Sequence, residues 1–145
     1  MNNPEIVQEL KTIAEENGGI LLPDRIIDRA AEPTSILHSW FEWNDQKAGH
    51  AFRMEQARRL IRISVEYLHN GNETVPFRVF VSLTSDRSVG GYRSMVSVLR
   101  DQDSKQQLLE DARTEMERFQ TKYSMLEELS RVFEAMREAM AEKVA

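Results

Sequence analysis

The sequence predicts an α+β fold: a helical head over residues 1–103 that carries one β-hairpin, then a long amphipathic coiled-coil helix over 104–145. Three observations predict it. Apolar residues recur at helical spacing in three segments before residue 63. From residue 61 to 83 the period drops to two, around an Asn70-Gly71 turn signal. After Gly91 there is no proline or glycine, and an apolar residue recurs every three or four positions as far as Met140.

The first helix is expected at 4–16. Asn3 suits its cap, Pro4 its first turn and Glu5 the positive end of its dipole, while Ile6, Val7, Leu10, Ile13 and Ala14 form the buried stripe. Asn17-Gly18-Gly19 stops it, because glycine accepts the left-handed conformation. The second helix is expected at 23–31, between Pro23 and Pro33, with Ile26, Ile27 and Ala30 inward. Trp40, Phe41 and Trp43 follow and read as core plugs rather than a binding face, since each can bury about 150–250 Å².

The third helix is expected at 45–62 with Asn44 as cap. His50, Met54, Ala57, Leu60 and Ile61 share one side, and Lys47, Ala51, Arg58 and Arg62 the other, with Arg59 close by. Residues 46–62 hold five Lys and Arg against one Glu, the most basic stretch of the chain. The alternation in 61–67 and 75–83 predicts a hairpin pairing 62–69 with 75–83 across HNGNET. The polar TSDRSVGG segment then breaks the chain, and Tyr92, Met95, Val96 and Leu99 mark a short helix at 92–100.

The final helix is expected at 105–142, opened by a Ser104-x-x-Gln107 capping box. Its stripe is Leu109, Ala112, Met116, Phe119, Tyr123, Leu126, Leu129, Phe133, Met136 and Met140. The steps alternate three and four except for one three-residue step out of turn, a stammer in a heptad pattern. A straight helix of this length spans about 55–60 Å, against a radius of gyration near 13 Å for a 100-residue head. The stripe therefore calls for a second copy, a dimer in the simplest case. The alternative is that it folds back on the head over part of its length.

Composition narrows the chemistry. The net charge is −5 and there is no cysteine, which removes disulfides, thiolate catalysis and Cys-based zinc sites. Residues 1–100 are nearly neutral, with 12 Lys and Arg against 13 Asp and Glu, whereas 101–145 have 7 against 11. A nucleic-acid surface would thus have to be a local patch. The N-terminus has no signal-peptide h-region, and no run approaches a membrane span.

No catalytic residues, cofactor or metal site are expected. His38, His50 and His69 lack metal-ligand spacing, and no serine sits in GxSxG. Asp101-x-Asp103 resembles the opening of a calcium loop but lacks its glycine and terminal glutamate, and reads as a helix-capping acid. Gly90-Gly91 is a chain turn. Three helices followed by a hairpin is, however, the element order of a winged helix-turn-helix. In that reading Lys47, Arg53, Arg58, Arg59 and Arg62 contact mostly phosphates, and Arg78 or the HNGNET turn reaches the DNA backbone. The plainer reading is a solvated face with Glu55 bridging Arg58 and Arg59. The connection of about a dozen residues between the second and third helices exceeds the helix-turn-helix norm of about 3–4.

The segment SILHSWFEWNDQKAGHAFRMEQARRLIR, followed by VSLTSDRSVGGYR and a helical tail, resembles a family of small proteins encoded in tailed-phage and prophage genomes. The matching positions are Leu37, His38, Phe41, Glu42, Trp43, Asp45, Ala48, Arg53, Gln56, Ala57, Arg58, Leu60, Ile61 and Arg62, and the resemblance covers most of 18–130. Leu22 departs from it, where a better helix cap is expected before Pro23. The resemblance implies a phage or prophage origin and a place in the host cytoplasm or a virion; it carries no assigned activity. The expected function is a non-enzymatic protein that binds double-stranded DNA as a coiled-coil-linked homo-oligomer. The alternative is a structural or host-modulating module whose Met/aromatic helix grips a host or phage protein.

Overall fold

A computed structural model describes residues 3–47 and 49–142. Ala48, one of the phage-like positions, and residues 143–145 of the tail lie outside the described residues. Helix α1 (Pro4–Glu16) begins where Asn3 Oδ1 accepts the Ile6 N–H at 3.3 Å, and buries Ile6, Val7, Leu10, Ile13 and Ala14. It ends where Gly18 and Gly19 take φ of 66° and 87°, values that side chains resist. Helix α2 (Pro23–Ala31) starts after Leu22 with no side-chain cap. Between the two helices Leu21 is fully buried and exchanges backbone hydrogen bonds with Tyr92.

The aromatic segment divides. Phe41 is buried, and Trp43 packs against the core and donates Nε1–H to the His38 carbonyl at 2.9 Å. Trp40 is instead exposed (37%), so only two of the three expected plugs serve the core. Trp40 ends a 3-10 turn (His38–Trp40), whereas Phe41 and Trp43 belong to the stretch that follows it.

Helix α3 (His50–Ile63) starts five residues later than expected. Asn44 caps a turn rather than the helix: its Oδ1 accepts the Gln46 N–H at 3.0 Å and its carbonyl the Lys47 N–H at 2.9 Å. Asn side chains offer the backbone this local alternative to a helix. The buried residues of α3 are Ala57, Leu60 and Ile61, whereas His50, expected inward, is exposed and faces Asp24 at 3.2 Å.

Strands β1 (Val65–Asn70) and β2 (Glu73–Arg78) form the hairpin, in register Val65↔Arg78 to Asn70↔Glu73. The loop is Gly71-Asn72, with Gly71 at φ 63°, so glycine supplies the positive φ at the first loop position. The expected strand 75–83 does not continue. Val79 and Phe80 are both buried, and two successive inward side chains break a period of two. The chain restarts as β3 (Phe80–Val81), which pairs with β4 (Arg93–Ser94) in a second small sheet.

Between β3 and β4 a 3-10 segment, Thr84–Val89, is anchored by the buried Asp86, which receives Arg93 Nε–H and Nη2–H at 2.6 and 2.8 Å. That hydrogen bonding raises the Arg93 pKa, so the guanidinium stays charged. Gly91 is tightly placed for another reason: a Cβ there would lie 2.7 Å from Ile20 Cγ2, so a larger residue requires Ile20 to shift.

Helices α4 (Met95–Arg100) and α5 (Gln102–Tyr123) meet at Asp101, whose Oδ2 accepts the Ser104 N–H at 2.8 Å. The cap is thus Asp101, as its capping-acid reading has it. Ser104 is a buried residue inside the helix, and the Ser104-x-x-Gln107 box does not form.

The tail is not one helix. It turns at 124–126, passes through a 3-10 segment, Glu127–Leu129, and resumes as α6 (Ser130–Ala141). Phe133 is 5% exposed, with its ring 6.1 Å from that of Phe119, which in turn lies 4.9 Å from Tyr123. The break falls at the stammer. Six residues from Tyr123 to Leu129 advance about 600°, so a continuous helix would carry the later stripe about 100° away from the earlier one. Breaking the helix brings the two apolar faces together as a hairpin. The tail turns back on itself, and α5 also lies against the head: Thr84 N–H donates to Asp111 at 3.1 Å and Ser85 Oγ to Gln107 at 2.7 Å.

Candidate nucleic-acid interface

The six cations expected to touch DNA fall into three groups: Arg53 and Arg58 are paired within the chain, Lys47 sits in a turn, and three arginines remain. Arg53 is structural. Its guanidinium lies 5.3 Å over the Trp43 ring, donates Nε–H to the Glu42 carbonyl at 3.1 Å and pairs with Asp45, which leaves its side chain 14% exposed. Trp43 stacks on its other partner, His38, at 5.1 Å and 8°. His38 contacts the Ala30 carbonyl at 2.8 Å, so this corner ties the aromatic loop to α2 and α3. Arg58 is neutralised by Glu55 at 2.5 Å, and Glu55 reaches only Arg58 of the two arginines it was expected to bridge. Lys47 lies in the turn that Asn44 closes, outside α3.

Arg59, Arg62 and Arg78 are the third group. All three are exposed, and among the described residues none of their side chains makes a hydrogen bond or ion pair. Local chain geometry gathers two of them: α3 runs into β1 three residues after Arg62, and Val65 pairs with Arg78. Arg62 and Arg78 line one groove of about 520 Å³, together with Ser82, Arg87 and Tyr92. Arg87 was not singled out by sequence. It sits in the TSDRSVGG segment, and no local pattern tells that this loop returns beside the end of β2.

The opposite wall of the groove comes from α5 and includes Leu108, Ala112, Asp111 and Glu115. Asp111 is already engaged by Thr84 and lies 3.7 Å from Arg87. The Glu115 carboxylate has no hydrogen-bond or ion-pair partner among the described residues, so it opposes any anion entering beside Arg62 and Arg78.

The expected association residues are all in the α5–α6 unit. Phe133 alone is buried; Leu109, Met116, Tyr123, Leu129, Met136 and Met140 are half-buried; Ala112, Phe119 and Leu126 are exposed. Two helices cannot enclose a stripe of this width.

Among the described residues no three His, Cys, Asp or Glu side chains group as metal ligands, and no helix is long and apolar enough to cross a membrane. Comparison with protein-family models, curated proteins and solved structures finds no match for this chain.

Proposed function

We propose that this chain is a non-enzymatic DNA-binding protein whose head meets duplex DNA through Arg59, Arg62 and Arg78. One observation carries the reading. Among the described residues these three guanidiniums have no partner, while Arg53 and Arg58 beside them are paired with Asp45 and Glu55. A free guanidinium keeps its full field and donors for phosphate, to which most protein–DNA hydrogen bonds go. The element order supports it too. Three helices precede the hairpin, and the Leu21 bridge between α1 and α2 joins Tyr92 beyond it, an arrangement resembling a winged helix. The resemblance to phage and prophage proteins supports a setting in a bacterial host or a virion.

Association of copies is part of the proposal. The half-exposed seam of the α5–α6 hairpin is completed by a second hairpin, giving a four-helix contact of coiled-coil type. Sedimentation of the full-length chain gives a dimer or larger species; a monomer at tens of micromolar, on the order of a weak coiled coil's dissociation constant, overturns this part.

The DNA reading is tested by anisotropy titration of a generic duplex at low salt. Wild type binds, and the variant Arg59→Glu, Arg62→Glu, Arg78→Glu does not, with folding unchanged because all three side chains are exposed. Absence of wild-type binding at about 50 μM, a Kd worth roughly 6 kcal/mol, or equal binding by the triple variant, overturns it.

A second reading is favoured by the tip of the tail hairpin, where Met125 is 90% and Leu126 45% exposed. Met adapts to varied surfaces, so a host or phage protein seated on this tip is the outcome if the duplex titration fails.

A further inference from the structure

On the reading just given, we propose that Phe52 is the base-contacting residue of α3 and confers a preference for thymine through its 5-methyl group. Phe52 lies in the first turn of α3 and is 53% exposed, an unusual position for a phenylalanine beside a well-packed core. At about 100° per residue, Phe52, Glu55, Arg59 and Arg62 fall within an arc of about 80° on the outward side of the helix. The buried residues Ala57, Leu60 and Ile61 occupy the opposite side. Ala51, also exposed, flanks the same stripe.

Charge and length fit a duplex. The acids nearest the stripe are each engaged, Glu55 by Arg58 at 2.5 Å and Asp24 by His50 at 3.2 Å. The cations that remain free, Arg59 and Arg62, stand about 10–15 Å further along the axis than Phe52. The major groove is about 12 Å wide. With the arginines on one phosphate ridge, the first turn of α3 reaches into the groove, where a recognition helix meets base edges. This turn keeps its guanidinium, Arg53, enclosed by Trp43, Asp45 and the Glu42 carbonyl, and its imidazole, His50, against Asp24. It offers Ala51 and Phe52, whose chemistry matches the one apolar feature of the groove, the thymine methyl.

The test uses the full-length protein and two A·T-rich duplexes identical except that one carries deoxyuridine for every thymidine. Wild type is expected to bind the thymidine duplex about fourfold more tightly for one methyl contacted, the worth of one buried methyl group. In Phe52→Ala the two duplexes bind alike, with the salt dependence of binding unchanged because the arginines remain. An exposed side chain leaves the fold intact, which the Trp43 fluorescence of the variant verifies. Equal binding of the two duplexes by wild type, or a preference that survives in Phe52→Ala, overturns the inference while the arginine reading stands. Binding of neither duplex overturns both.

Discussion

Both halves of α3 carry arginine and use it differently. In the first half Arg53 is enclosed by Trp43, Asp45 and the Glu42 carbonyl. In the second half the Arg59 and Arg62 side chains have no partner among the described residues and are exposed, as is Arg78. A count of lysines and arginines gives this stretch +4 and treats them alike. The structure separates a cation that holds the fold from cations available to a ligand, and the difference lies in what precedes the helix. The segment 41–47 supplies an indole, a carboxylate and a carbonyl to one end only.

The comparison breaks most visibly at Trp43. Trp43→Ala is expected to cost about 3 kcal/mol of stability, the low end for a large aromatic because the ring is only partly buried. It also frees Arg53, and chemical denaturation measures both effects. Reversing Arg62 and Arg78 to Glu should leave the denaturation midpoint within about 0.5 kcal/mol of wild type, as for other exposed sites, while weakening duplex binding more than tenfold. Arg53→Ala should do the converse, losing about 1–2 kcal/mol of stability through one charge-assisted hydrogen bond and a cation–π contact with little change in binding. An Arg53→Ala protein that is fully stable but fails to bind DNA would erase the distinction.

The smallest expected effect is at the junction of head and tail. Hydrogen bonds from Ser104 hold the Asp101 carboxylate below its ordinary pKa. A depressed acid contributes stability above its unfolded pKa and loses that contribution as pH falls through the lowered folded value. Acid titration of helix content should therefore show a transition below the ordinary carboxylate range that Asp101→Asn removes, since Asn caps without titrating. An unchanged acid limb in that variant would contradict the cap assignment.

Much of the fold was legible in the sequence because it rests on local chemistry. Asn3-Pro4 and Asn17-Gly18-Gly19 bound α1 where they stand, and Pro23 opens α2. The hairpin followed from alternation, shifted by one residue in its turn. What was not legible depends on competition between alternatives. Asn44 can cap a helix or close a turn, and it closes a turn. Val79 sits where a strand pattern meets a buried site that interrupts it. The tail carried a signal in the successive three-residue steps at Leu126 and Leu129, but a stammer also fits an overwound continuous helix, so the break itself was not legible. Of the site, Arg59, Arg62 and Arg78 were legible as cations but not as free ones. Arg53 differs from them only through tertiary partners, and Arg87 joins them only through the return of a loop.

The salt dependence of duplex binding tests the central claim most directly, because it counts phosphate contacts rather than inferring them. If Arg59, Arg62 and Arg78 each neutralise one phosphate, the log–log slope of the binding constant against salt is about −2.7, at roughly −0.9 per contact. Replacing Arg62 by Ala should bring it to about −1.8, and replacing Arg53 by Ala should leave it unchanged. A slope that Arg62→Ala does not alter, or one that Arg53→Ala reduces as much, would contradict the account.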